Sequence, residues 1–95
     1  MATSATEVLD ALCRCLADET RRRIYDDLGR EPGLTTAELA ARQPRMTRWA
    51  VMKHLAVLRG ADLIQTLPQG RRRRHYRDER ALQPLRDWLA GSEAR

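Results

Sequence analysis

No stretch of this chain approaches the roughly 18 consecutive apolar residues that a membrane-crossing helix needs. Its opening residues, MATSATEVLD, lack the basic-then-apolar order of a secretory leader. The expectation is a soluble, cytoplasmic protein with no membrane partner. Cysteine is nearly absent as well. Cys13 and Cys15 stand too close together to staple a fold and are too few to cage a zinc ion. Catalytic groupings are missing: no serine or cysteine nucleophile sits with a base, no carboxylates pair, and no Gly-rich loop can cradle a phosphate. The chain reads as neither an enzyme nor a cofactor carrier. Internal repeats, low-complexity tracts and linkers are lacking too, so residues 1–95 are expected to form one small domain. A core of that size is marginal, and association would help it.

Lysine is the scarcest charge. Lys53 stands alone beside 17 arginines, against 13 acids. Genomic base composition can raise arginine throughout a protein, so placement is the better guide. Five of the seven residues from Arg71 to Arg77 are arginine and no acid interrupts them, while Asp26, Asp27, Glu31, Asp78 and Glu79 cluster elsewhere. A field this uneven suits a polyanion better than a small acidic molecule.

Hydrophobic spacing supplies the elements. Val8, Leu9, Leu12 and Leu16 predict an amphipathic helix over 6–16. Asp18 caps a second through Ile24, Tyr25 and Leu28, which Gly29 or Gly33 can end. Thr35 and Glu38 have the spacing of a capping box, starting a short third helix that should stop before Pro44. Thr47 caps a fourth, with Val51, Leu55 and Leu58 as its buried stripe and Gly60 as its terminator. Leu63–Leu67 and Arg72–Arg77 alternate like paired strands around a Pro68-Gln69-Gly70 turn. After a lead-in turn over Asp78–Leu82, a last helix holds Pro84 in its first turn and carries Leu85, Trp88 and Leu89. The fold class is mainly α with a small β-hairpin: about five helices and a two-stranded wing.

The stretches LADETRRRIYDDL, AVMKHLAVLRGADLI and GRRRRHYR, in this order and spacing, resemble the ArsR-type (ArsR/SmtB) winged-helix repressors of prokaryotes. The likeness runs from about Leu9 to Leu89. It implies a homodimer seamed by the first and last helices, here through Leu9, Leu12, Leu85, Trp88 and Leu89. It also implies a fourth helix in the DNA major groove and the hairpin as a wing. Metal-sensing relatives carry a C-x-C run on the third helix, or Asp and His ligands on the last. Here those helices read TAELAAR and PLRDWLAG, with only Glu38, Asp87 and Glu93 as acids in or near them. The resemblance is to a branch that senses no metal.

Arg48, Trp49, Met52 and Lys53 share one face of the fourth helix, away from its buried stripe. Relatives touch DNA from the matching positions. Arg48 can fork onto a guanine edge, and Lys53 can serve a base or a phosphate. Trp49 and Met52 offer apolar surface to a thymine methyl or a sugar edge, unless Trp49 packs beneath the third helix. Arg45 and Thr47 join this set at the helix start, and Thr35 and Thr36 either donate to phosphates or only cap. Arg71, Arg72, Arg73 and Arg74 alternate in direction along a strand. The tip pair, Arg71 and Arg72, is the better placed for the DNA backbone or minor groove, and one or two of the four can be charge that guards a strand edge. Arg21–Arg23 face several directions, solvated or paired with Asp26 and Asp27. His54 and His75 read as structural. Cys13 and Cys15 flank opposite edges of the first helix's apolar stripe, as small hydrophobes or as a thiol sensor across a dimer.

The function so read is a dimeric, sequence-specific transcriptional regulator of double-stranded DNA, a repressor on an inverted-repeat operator. The rival is a protein-interaction adaptor whose arginines only keep it in solution.

Overall fold

The computed structural model describes residues 4–91; Glu93 lies outside them. Five α-helices, three strands and a 3₁₀ turn follow one another as α1 (Ala5–Leu16), α2 (Glu19–Arg30), β1 (Leu34–Thr35), α3 (Thr36–Ala41), α4 (Arg48–Gly60), β2 (Ile64–Gln69), β3 (Arg72–Arg77), the 3₁₀ turn (Glu79–Leu82) and α5 (Gln83–Gly91).

Side-chain caps set the helix starts. Ser4 and Glu7 form a capping box at α1, with the Ser4 hydroxyl accepting from the Glu7 amide at 3.1 Å. That start lies one residue earlier than the apolar spacing alone indicates, because the hydroxyl and carboxylate satisfy otherwise orphaned N–H groups. Asp18 caps α2 through the Arg21 amide at 3.0 Å. Thr35 and Glu38 make the expected box on α3, and Thr47 accepts from the Ala50 amide at 3.1 Å to start α4.

The helix ends differ from the expectation. Gly29 lies inside α2 and Gly33 lies beyond the helix with φ 88. Gly60 is the last residue of α4, and the left-handed position falls to Asp62 with φ 60. The Leu63 amide donates to the Leu58 carbonyl at 3.0 Å, and the Asp62 amide donates to that of Arg59 at 2.9 Å. This is a Schellman closure, with aspartate, which tolerates the left-handed region, where glycine is usual. Leu58 and Leu63 are both fully buried beneath it.

The turn is also shorter than the sequence suggests. Gln69 pairs with Arg72, so Gly70 and Arg71 form a two-residue loop, and Pro68 lies within β2 opposite Arg73. Gly70 has φ 62, which suits the first position of a type II′ hairpin turn. The sheet has three strands rather than two. Leu34 and Thr35 of β1 pair with His75 and Arg74 on the far side of β3, giving the order β1-β3-β2. A strand of two residues carries no legible alternation, so periodicity could not reveal it.

Ile24 and Leu28 of α2, Leu39 of α3, Val51, Leu55 and Leu58 of α4, and Leu63 and Ile64 bury almost completely together. Leu12 and Cys15 of α1 join the same core, while α5 adds the partly buried Leu85. Leu12 is therefore occupied inside the subunit and is not free for a seam.

His75 is buried in the centre of the sheet. Its Nε2 lies 2.8 Å from the Thr36 hydroxyl and its Nδ1 lies 2.9 Å from that of Thr66. A neutral ring satisfies both partners, accepting from one hydroxyl and donating to the other. Burial, reinforced by Arg59 and Arg73, pushes its pKa from 6.5 down to about 4. The unfolded chain therefore takes up this proton first as pH falls. Stability from this group should decline between about pH 6.5 and 4, by up to roughly 3 kcal/mol. Urea titrations at pH 7 and 4.5 should show the loss in the natural chain and a smaller one in His75→Gln. Equal losses in both would assign the pH response to other groups.

Candidate nucleic-acid interface

The geometry of α4 follows from what it buries. Val51, Leu55 and Leu58 face the core, so helical rotation turns Arg48, Trp49, Met52 and Lys53 outward. Trp49 is 65% exposed and Met52 51%. The tryptophan does not pack beneath α3. Its ring instead carries the Lys53 ammonium, 4.3 Å from the centroid, a cation–π contact that restrains a flexible side chain.

Behind α4, a polar joint sets its angle. The Arg21 guanidinium donates to the carbonyls of Cys15 at 2.8 Å and Arg14 at 3.1 Å, and its third nitrogen lies 3.2 Å from His54 Nδ1. Arg22 donates to the Leu16 carbonyl at 2.6 Å, and Arg23 pairs with Glu19. Arg21 and Arg22 thus close the negative end of α1; none of Arg21–Arg23 pairs with Asp26 or Asp27, and it is Arg30 that reaches Asp27, at 2.8 Å. His54 is a structural contact in this joint, and His75 one in the sheet.

On the other side of α4, the wing closes a groove of about 390 Å³. Thr35, Thr36, Ala37 and Glu38 from the start of α3 line one wall, Arg48 and Met52 of α4 another, and Arg71, Arg72 and Arg73 the third. The sequence places these arginines far from Arg48; β1 and the hairpin register bring them to it. Arg74 does not join them. It donates to the Gly33 carbonyl at 2.9 Å and to Gln69, bracing the wing on β1. Arg45 lies on the α3–α4 connection beside a separate hollow lined by Thr20, Arg23 and Arg42. Thr47 is spent on its cap, and Thr36 on His75.

Glu38 is the groove wall that sequence reasoning did not foresee. Hydrogen bonds from Thr35 hold its carboxyl below the usual range, so an anion sits among the arginines. The capping box was legible, but its exposure to the wing needs the tertiary fold.

A second face lies between α1 and α5. Val8, Leu9, Pro84 and Trp88 line an open hollow of about 700 Å³. Trp88 is 57% exposed and Leu89 63%. The cysteines of α1 are in unlike settings. Cys13 is exposed, whereas burial pushes the Cys15 thiol up, against the pull of Arg21, which disfavours the reactive thiolate. Among the described residues, no three His, Cys, Asp or Glu side chains gather as a metal site requires, and no helix is long and apolar enough to cross a membrane.

Comparison with known proteins decides the family. A family model described as a helix-turn-helix domain matches residues 16–66. The HTH-type transcriptional regulator Rv2034 of Mycobacterium tuberculosis (strain ATCC 25618 / H37Rv) is 42% identical over 77 residues, covering 81% of this chain and 70% of the relative. The uncharacterized HTH-type transcriptional regulator YuzN of Bacillus subtilis (strain 168) is 39% identical over 69 residues, covering 67% and 75%. The crystal structure of the ArsR family transcriptional regulator RHA00566 superposes with a TM-score of 0.84 at 34% identity, covering 99% of this chain and 94% of that one.

This chain belongs to the ArsR-type winged helix-turn-helix regulators. In that frame α3 and α4 are the helix-turn-helix and the β2–β3 hairpin is the wing. The chain is a DNA-binding transcriptional regulator, and its relatives are regulators rather than enzymes.

Proposed function

We propose that the protein is a cytoplasmic homodimeric repressor that occludes a promoter by binding an inverted repeat. Each subunit would lay the start of α4 in one of two major grooves about one helical turn apart. The observation that carries this reading is the convergence of Arg48 and Met52 with Arg71, Arg72 and Arg73 around one groove, on a helix whose opposite face is wholly buried. Arg48 and Lys53 serve base edges or phosphates, and Trp49 and Met52 the apolar parts of the groove. Arg71 and Arg72 serve the backbone, as does Arg45 at the flank. Arg73 adds charge behind the tip. Thr47 sits at the helix start, where a phosphate would approach, and Arg74 acts by holding the wing in place. The seam is the α1–α5 face, with Leu9, Leu85, Trp88 and Leu89 contributing and Leu12 supporting it from the core. We read the family's metal response as absent here, since α3 and α5 carry no thiol or imidazole.

Wing and helix should separate in a salt titration. Changing Arg71 and Arg72 together to alanine should weaken specific and random DNA alike and lower the log–log salt slope by up to about 2 per subunit. An altered sequence preference with an unchanged slope would contradict the backbone role.

A further inference from the structure

The base-reading face of α4 has an unusual chemistry. RWAVMKHLAVLRG contains no asparagine, glutamine, aspartate or glutamate. The helix thus has neither the amide that pairs with an adenine edge nor the carboxylate that accepts from cytosine. His54 is engaged by Arg21, and the Thr47 hydroxyl caps the helix. Of its three cations Arg59 lies in the last turn, and Arg48 and Lys53 remain on the outward face near the helix start, where they suit acceptor-rich edges such as guanine O6 and N7. Between them stand two large apolar side chains, Trp49 and Met52, each more than half exposed. Neither belongs to the core cluster, so holding the fold together does not account for them.

From this we propose that Trp49 and Met52 read the C5-methyl group of a pyrimidine in the major groove, next to a guanine read by Arg48. The proposal rests on the DNA-reading function above and names the bases it selects. Charge complementarity selects duplex DNA over a protein as the occupant: Arg48, Arg71, Arg72 and Arg73 line one groove with Met52, against the single acid Glu38, and Lys53 lies over Trp49. Holding the Lys53 ammonium over its ring fixes the indole's outer face, leaving its edge and the Met52 thioether to pack on a methyl group. In unmodified DNA that methyl belongs to thymine; in methylated DNA 5-methylcytosine presents the same group.

The test uses the full chain and an operator selected from random DNA. Replacing the half-site thymines one at a time with uracil removes only the methyl from the major-groove edge. At the read position affinity should fall about fourfold per methyl, the order given by burying one such group. A Trp49→Ala, Met52→Ala double variant should bind more weakly and lose that uracil penalty. Its thermal midpoint should stay near that of the natural chain, because both residues are exposed. Putting 5-methylcytosine, paired with guanine, at that position keeps the methyl and changes the hydrogen-bonding edge. Retained affinity supports the methyl reading, and loss to the level of plain cytosine overturns it. Equal binding of uracil and thymine operators, or a penalty that persists in the double variant, also overturns it. If the natural chain selects no sequence at all, the DNA-reading function fails first and takes this proposal with it.

Discussion

Replacing Arg48 by alanine should flatten base preference at one position of each half-site and weaken operator binding by about 1–3 kcal/mol per subunit. A dimer with two such contacts would lose up to about twice that, provided the half-sites act independently. The size follows from position. Arg48 is the first residue of α4, exposed, and lines with Met52 the groove whose third wall is the wing arginines. A guanidinium there can present two N–H groups to one guanine, and no other side chain on that turn can take its place. Folding should be little affected, within about 0.5 kcal/mol, as for exposed positions outside a cap or ion-pair network. Titration against the operator and its single-base variants separates the outcomes. Loss of discrimination at one position is expected; a uniform loss across all sequences would make Arg48 a backbone contact.

Trp88→Asp should convert the protein to a folded monomer and lower operator affinity by about 10²–10⁴, the range that linking two binding modules supplies. Trp88 and Leu89 are exposed on α5, and Val8 and Leu9 of α1 border the same hollow. An apolar face of this kind at the ends of so small a chain is what a second copy would cover. A carboxylate in the middle of it would be buried twice in a symmetric seam, uncompensated each time. Sedimentation at micromolar concentration, read beside a DNA titration, checks both halves. A natural chain that is already monomeric and still binds tightly would overturn the seam, and a dimeric variant would place it elsewhere.

The helices were readable because their causes are local. Thr35 with Glu38, Asp18 and Thr47 announce starts through hydrogen bonds three residues long, and Val51, Leu55 and Leu58 announce a buried face through spacing. Misplaced features had non-local causes. The left-handed position that follows α4 falls to Asp62 rather than Gly60, because the chain must turn Leu63 into the core beside Leu58. Pro68 lies in a strand because β3 pairs opposite it, and β1 exists only through its partner His75 and Arg74.

The site was legible to the same extent. The outward face of α4 follows from its period, so Arg48, Trp49, Met52 and Lys53 could be named together. Which wing arginine stays free could not be named, since Arg74 is drawn inward by the Gly33 carbonyl 41 positions away. Leu12 looked like seam because it shares a stripe with Leu9. Only packing shows that the stripe is divided, with Leu12 inside and Leu9 at the edge.

Selection of bound duplexes from a random pool by the natural full-length chain tests the central claim most directly. Two copies of α4 related by a two-fold axis should recover an inverted repeat, with half-site centres about one helical turn apart. Each half-site should hold a guanine beside a thymine. Recovery of no preferred sequence, or of a single unrepeated site bound by a monomer, would contradict the account.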